Sequence, residues 1–513
     1  MRRYLPIALF LVVLLTPVVL RRLLVHGQAA SGDTLRLVII TPHNQDIRRE
    51  FAAAFDRWHR EHYGQGVTID YRTPGGTPDI LRQLTSIYDA YRDQNHNLPA
   101  NVPADIDVVW GGGDYFFEQQ LKPLGLLQPM RIDPALLAAA FPSPTLAGVR
   151  LLEKTVGPAG NPTPRWVGVC LSSFGIVYNP DVYHALSLPA PRQWHDLADP
   201  RLAGFVALAD PAHSASVGVA LMMVLQRSMA DAEEALFARE PRLRTMPAAQ
   251  RAALPEYQSA LAAGWKRGMS DLTLIAANAR YFTDSAELVP NDVSRGEAAA
   301  GVAIDFYARS TEQIVGAKRA QFVLPLHATA ITPDPVAILV GVKGERLELA
   351  QHFVEFLLSK EAQRIWALPV GAAGGPSERG LFRTPIRRDV YDDQRGWESL
   401  GNPFVDAGGF NQRNDWMALY SDTIPIWDAA WIDSRDELLA AYRAVLAVPD
   451  LARRELLLAE LADLPIEMID VAAIRDQRRQ MSPDRLDEWK VLTQIAWAKK
   501  FRAHYEAVES EAR

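Results

Sequence analysis

Two hydroxyls, Ser172 and Ser173, stand at the mouth of the apolar run Phe174–Tyr178 in CLSSFGIVYNPDVY. Hydroxyls set against a buried strand are either polar punctuation at its end or donors to something that is not protein. Other loops carry matching chemistry. His43 and Asn44 follow the apolar run LRLVIIT, Gly76 and Thr77 follow VTIDYRT, and Gly112 and Gly113 follow DIDVVW. Ser214 and Ser216 lie between GFVALAD and an apolar helical stretch, Asp284 and Ser285 precede another expected helix, and Asp305 and Tyr307 close the run GVAIDFY. Glycine lets backbone N–H groups approach a ligand closely. Serine or threonine at a helix start adds a hydroxyl beside the positive end of the helix dipole, which suits an anion. Taken singly, each of these is also an ordinary turn or helix cap. Their recurrence at strand ends in both halves of the chain favours ligand contact for the set over any one alone.

Signatures of catalysis are missing from the sequence. It holds no G-x-S-x-G elbow, no G-x-x-x-x-G-K-[ST] loop and no H-E-x-x-H helix. A hydrolase built on His43 or His213 with a nearby Ser and Asp lacks a nucleophile–base spacing. GGGDYF lacks the third glycine of a dinucleotide fingerprint. His59 and His62 are three apart on a helix that also carries Phe55 and Trp58, which favours burial over metal binding. Trp58, Trp110, Trp166 and Trp194 read as packing residues. Cys170 is the only cysteine, so an internal disulfide framework and a cysteine-based zinc site are both excluded. The net charge of −7, without a long basic run, argues against nucleic acid as partner.

The elements that must position these residues alternate. Strand 35–41, a helix bearing Ile47, Phe51, Phe55 and Trp58, strand 67–73, a second amphipathic helix after Pro78, and strand 105–110 follow one another. Strand, helix, strand at this spacing predicts a parallel sheet with helices on its faces. A second α/β region begins near Trp166, with a helical surface insertion expected over about 231–260. PVAILVGV (335–342) reads as a strand returning to the first region, and the chain beyond about residue 415 is mainly helical and amphipathic. The chain of 513 residues is long enough for two or three domains. Its start is a targeting segment: Met1-Arg2-Arg3 precedes an apolar stretch, Tyr4 to Leu20, at the short limit for spanning a bilayer. It is either cleaved after Gly27 or Ala29 or kept as an anchor, and both put the bulk of the chain outside the cytoplasmic membrane.

The stretches VIITPHNQDIRREF, DYRTPGGTPDI, DVVWGGG, LSSFGIVYNPDVYHALSLPAPRQWHDLADPRLAGFVALADPAHSAS, NARYFTDSAELVPNDVSRGEAAAGVAIDFYA and FVEFLLSKEAQRIW resemble the extracellular solute-binding proteins of ABC importers. The nearest branch is that of the ferric-iron, phosphonate and sugar-phosphate binders with the type 2 periplasmic fold, and the likeness covers roughly residues 35 to 380. It implies two α/β lobes joined by a hinge. Residues 33–165 and 335–405 would form lobe 1 and residues 166–334 lobe 2. Residues 1–32 would be the signal or anchor, and 406–513 a helical extension beyond the family's compact size, bracing the first lobe or contacting a partner. The implied function is non-catalytic: capture of a small anionic solute between the lobes and delivery to an ABC permease, by a monomer with no cofactor. His43, Asn44, Gly76, Thr77, Gly112, Gly113, Ser172, Ser173, Ser214, Ser216, Asp284, Ser285, Asp305 and Tyr307 would line the cleft, while Arg280 reads first as an exposed arginine and second as an added charged donor. Ferric binders of the family use a histidine, an acidic residue and two adjacent tyrosines. His43 and Tyr307 match two of these, but Phe306 stands where the second tyrosine would be. Transported Fe3+ on His43 and Tyr307 is thus the alternative cargo, and a membrane-anchored solute sensor is the alternative role.

Overall fold

The computed structural model describes residues 34–513, apart from 95–96, 100, 158–159, 326, 393–394, 398–399, 407–411, 418, 466–472, 475, 478–479 and 482. The targeting segment lies outside the described residues. Among these, no helix is long and apolar enough to cross a membrane.

The first lobe grows from local signals. Strand β1 (Thr34–Ile40) pairs in parallel with β2 (Gly66–Arg72) and with β3 (Val108–Trp110). Helix α1 (Gln45–Tyr63) connects the first two. The Asn44 side chain caps its start by accepting the Ile47 N–H at 3.1 Å, and Gly64 ends it in the left-handed conformation, φ 74°. Ile47, Phe51 and Phe55 repeat every four residues and face the sheet, with Phe51 and Phe55 wholly buried. Each such phenylalanine contributes roughly 1.5–3 kcal/mol by leaving water. Helix α2 (Thr77–Asp89) starts at Gly76, whose N–H is capped by Asp79.

Two long strands carry the chain between lobes. Strand β4 (Val167–Tyr178) is buried along all 12 residues, as a central strand must be when both its faces are covered. Strand β9 (Ile331–Ile338) runs antiparallel to it, with Thr332 opposite Ser172 and Asp334 opposite Cys170. From Phe174 onward β4 changes partner and pairs with β7 (Ala300–Ile304). Beyond it lie β5 (Val206–Ala209) and β6 (Ala279–Thr283), paired in parallel. The order across the molecule is β2-β1-β3-β9-β4-β7-β5-β6. Strand β8 (Gln321–Val323) adds to β4 in the second lobe and β10 (Thr384–Pro385) adds to it in the first. The result is the expected two-lobed α/β fold with a helical C-terminal region. The serine pair sits where β4 passes from one lobe to the other.

Helices α3 (Ala215–Arg239) and α4 (Pro255–Asn278) pack along each other in the second lobe. The expected insertion at 231–260 is therefore largely the lengthening of these two helices, and only short helical turns, Arg242–Thr245 and Ala248–Ala252, join them. Leu236, Phe237, Leu243 and Tyr257 give this outer end its own small core. Helices α5 (Leu288–Arg295) and α6 (Asp305–Val315) complete the lobe, while α7 (Glu345–Leu358) and α8 (Lys360–Ala367) return to the first, where Trp366 packs 4.2 Å from Phe51.

The C-terminal helices are α9 (Tyr420–Trp427), α10 (Arg435–Leu446), α11 (Leu451–Ala462) and α12 (Pro483–Ala512). Hydrogen bonds tie them to the second lobe. Tyr442 Oη donates to Asn278 Oδ1 at 2.7 Å, Trp431 Nε1 to Thr273 Oγ1 at 3.2 Å, and Arg435 to the Ala279 carbonyl at 2.7 Å. Every acceptor lies on α4 or at the start of β6.

Candidate functional site

A cleft of about 880 Å³ opens at the lobe crossing. His43, Asn44, Gly76, Thr77, Gly112 and Gly113 line it from the first lobe, and Ser214, Ser216, Asp284, Ser285 and Tyr307 from the second, with Ser172 at the crossing. Three helix starts meet there, those of α1, α2 and α3, because their caps Asn44, Gly76 and Ser214 all lie in its wall. The Ser214 and Ser216 hydroxyls are 3.2 Å apart, and no side chain caps the start of α3. Gly112 has φ 114°, which a β-carbon disfavours, and one placed there would collide with the Thr77 methyl at 2.3 Å. The lobes approach closely at one edge, where a β-carbon on Gly76 would sit 2.7 Å from the His213 carbonyl oxygen.

Ser173 and Asp305 do not line the cleft. Asp305 Oδ2 accepts both the Ser173 N–H at 2.8 Å and its hydroxyl at 2.9 Å. On a β-strand neighbouring side chains point to opposite faces, so only one of the two serines can look into the cleft, and that one is Ser172. Arg280 likewise points elsewhere, donating to the Glu297 carbonyl. His59 and His62 are satisfied by the backbone at Gln65 and Trp58, each at 2.8 Å. Among the described residues no group of three His, Cys, Asp or Glu side chains could hold a metal ion.

The floor of the cleft is a charged network absent from the sequence expectations. Arg383 is 1% exposed, and its Nη1 lies 2.6 Å from Asp334 Oδ2 while Nη2 donates to the Ser172 hydroxyl oxygen. Its guanidinium stacks over Phe306 at 4.6 Å and Trp366 at 5.2 Å. Asp334 Oδ1 accepts the Gly112 N–H at 2.8 Å, and Oδ2 also faces His43 Nε2 at 2.8 Å. Burial alone would raise the Asp334 carboxyl, but the adjacent guanidinium, with His43, holds it well below the usual carboxylate range. Burial lowers the His43 pKa against the raising pull of Asp334. With Nε2–H donated to Asp334, Nδ1 is left buried without a hydrogen-bond partner among the described residues.

Acids border the cleft as well. Burial pushes the Asp114 carboxyl up to about 6, and Glu287 is raised by burial and by Asp46 across the lobes. Burial also raises the Tyr307 phenol, which stays protonated. The fourth contributor is the C-terminal segment, whose Gln412, Met417, Tyr420 and Ile424 line the same space.

The two-lobed fold and its cleft can be set beside known proteins. Residues 155–371 match the family model described as bacterial extracellular solute-binding protein. The chain is 24% identical over 261 residues to an uncharacterized protein of Haemophilus influenzae, covering 50% of this chain and 60% of that one. It is 23% identical over 201 residues to the phosphoglycerate transport regulatory protein PgtC of Salmonella typhimurium, covering 39% and 40% respectively. The matches therefore span less than two thirds of these relatives. Among solved structures, the periplasmic binding protein AfuA from Actinobacillus pleuropneumoniae, with exogenous fructose-6-phosphate bound, is similar at 19% identity and TM-score 0.49, covering 76% of this chain and 98% of that one. Iron-bound HitA from Pseudomonas aeruginosa is similar at 17% identity and TM-score 0.46, covering 76% and 99%.

Proposed function

We propose that this protein is an extracytoplasmic receptor that presents a small organic anion, a phosphonate, phosphate ester or carboxylate, to an ABC permease. The observation that carries this reading is the meeting of the α1, α2 and α3 starts in one cleft, with Ser172, Ser214, Ser216 and Thr77 around them. Free N–H groups at a helix start and adjacent hydroxyls complement an anion from both lobes at once. A solute held by both lobes binds the closed form more tightly than the open one, and that difference drives hinge closure. The PgtC relative is named for phosphoglycerate transport, an anion of this class.

Ferric iron on His43 and Tyr307 fits the geometry less well. His43 Nε2 is engaged by Asp334, and the Arg383 guanidinium lies 3.3 Å from it, where it repels a cation. The test is a thermal-shift screen of protein stripped of bound solute, against phosphate, phosphonates, phosphate esters, carboxylates and ferric iron with citrate. A ligand at a hundredfold excess over its Kd stabilises by about 2.7 kcal/mol. An upward shift with organic anions is expected. A shift with iron alone would overturn this reading in favour of the metal.

A further inference from the structure

The extension beyond residue 405 makes a wall of the cleft, and nothing in the reading above assigns it a part in binding. Its seat is well defined. The Arg413 N–H donates to Gln226 Oε1 on α3 at 3.0 Å, and Gln226 Nε2 lies 3.8 Å from Met417 Sδ. Tyr420, 4% exposed, wedges between the lobes. Its ring meets Tyr115 of the first lobe edge-on at 5.1 Å, and it occupies the space above Gly218 of the second, where a β-carbon would come within 2.3 Å of its hydroxyl.

What this segment offers the cleft differs from what the strand-end loops offer. Met417, Tyr420 and Ile424 are apolar or aromatic, and they continue a surface that includes Val219 and Phe116. Gln412 is 4% exposed and lines the same space, and its Oε1 has no hydrogen-bond partner among the described residues. A buried amide oxygen is an acceptor that a donor on a bound solute can satisfy. The cleft volume of about 880 Å³ suits an organic molecule rather than a bare oxyanion.

We infer that the C-terminal extension is a specificity element of the solute site, selecting anions that carry an apolar or aromatic body. The head binds at the helix starts and the body lies against Met417, Tyr420 and Ile424, with Gln412 as an acceptor for a hydroxyl or N–H on it. This rests on the anion reading of the cleft.

The test is calorimetric titration of the full chain, stripped of solute, with inorganic phosphate, with methyl-, butyl-, hexyl- and phenylphosphonate, and with the matching neutral alcohols. Kd should fall about fourfold for each methylene that reaches the wall, and the alcohols should bind far more weakly. Ile424→Thr should reduce the gain per methylene and so flatten the alkyl series. The slope in the unaltered protein needs no variant to fold. Binding of phosphate and methylphosphonate with no gain from longer bodies would overturn the wall and leave the anion reading standing. Equal loss for every phosphonate in Ile424→Thr would make the segment merely structural and also overturn it. Alcohols binding as tightly as phosphonates, or no anion binding at all, would sink both readings together.

Discussion

Arg383 and Asp334 form a buried ion pair across the lobe crossing, with Nη1 2.6 Å from Oδ2 and the side chains only 1% and 8% exposed. Asp334 belongs to β9, one of the strands on which the hinge is built. Arg383 arrives on the return segment just before β10 and reaches the Ser172 hydroxyl with its other nitrogen. The pair fixes the position of Ser172 and, through Gly112, of the glycine loop opposite.

Replacing Arg383 by Met should cost about 3–5 kcal/mol, because it strands the Asp334 carboxylate in a dry site. Adding Asp334→Asn should recover much of that loss. Urea denaturation of the two single variants and the double variant gives the coupling. A loss below about 1 kcal/mol for Arg383→Met would mean the site admits water and the network is not dry.

The two adjacent serines should separate cleanly. Ser173→Ala removes the hydroxyl held by Asp305 and should lower stability by about 1–2 kcal/mol with anion affinity unchanged. Ser172→Ala should weaken the affinity of an organic anion by about 1–3 kcal/mol, because that hydroxyl faces the cleft. Titration of both variants with one solute settles the matter, and equal affinities would remove Ser172 from the site.

On the anion reading of the cleft, Asp114 should make binding depend on pH. Its carboxyl titrates near 6 instead of 3.8, chiefly through burial. Below pH 5 it is neutral, and above pH 7 it places a negative charge beside the solute. Affinity for a carboxylate that stays ionised throughout should therefore fall between pH 5 and 7, on the order of tenfold for one pKa unit of coupling. Because the folded pKa is raised, the group's contribution to stability is fully present below about pH 4 and is lost as pH rises through 6. Asp114→Asn should remove its part of both trends. A profile unchanged by that variant would place Asp114 outside the solute's reach.

The alternation of apolar runs with amphipathic helices, and the Asn, Gly and Ser residues that begin those helices, were readable along the chain because they are local. Periodicity fixes which face is buried, and a cap needs only residues three or four positions away. That sufficed for the two α/β regions and for strand-end residues that line the cleft, such as His43, Thr77 and Ser214. It did not suffice for Ser173, since which of two neighbouring serines faces outward depends on the register of β4 against β9. Nor did it reach Arg383 and Asp334, 49 residues apart, each of which in isolation reads as a charged residue near prolines in a loop. The extension shows the same limit. Its helices were legible, but their seat on α3 and α4, and with it the Tyr420 wall, follows from packing between surfaces more than a hundred residues apart in the chain. By itself the sequence determined the elements and the chemistry available at their ends. The tertiary structure alone decided which of those groups are paired with one another and which are left facing the cleft, because a buried charge or hydroxyl must find its partner in space and not along the chain.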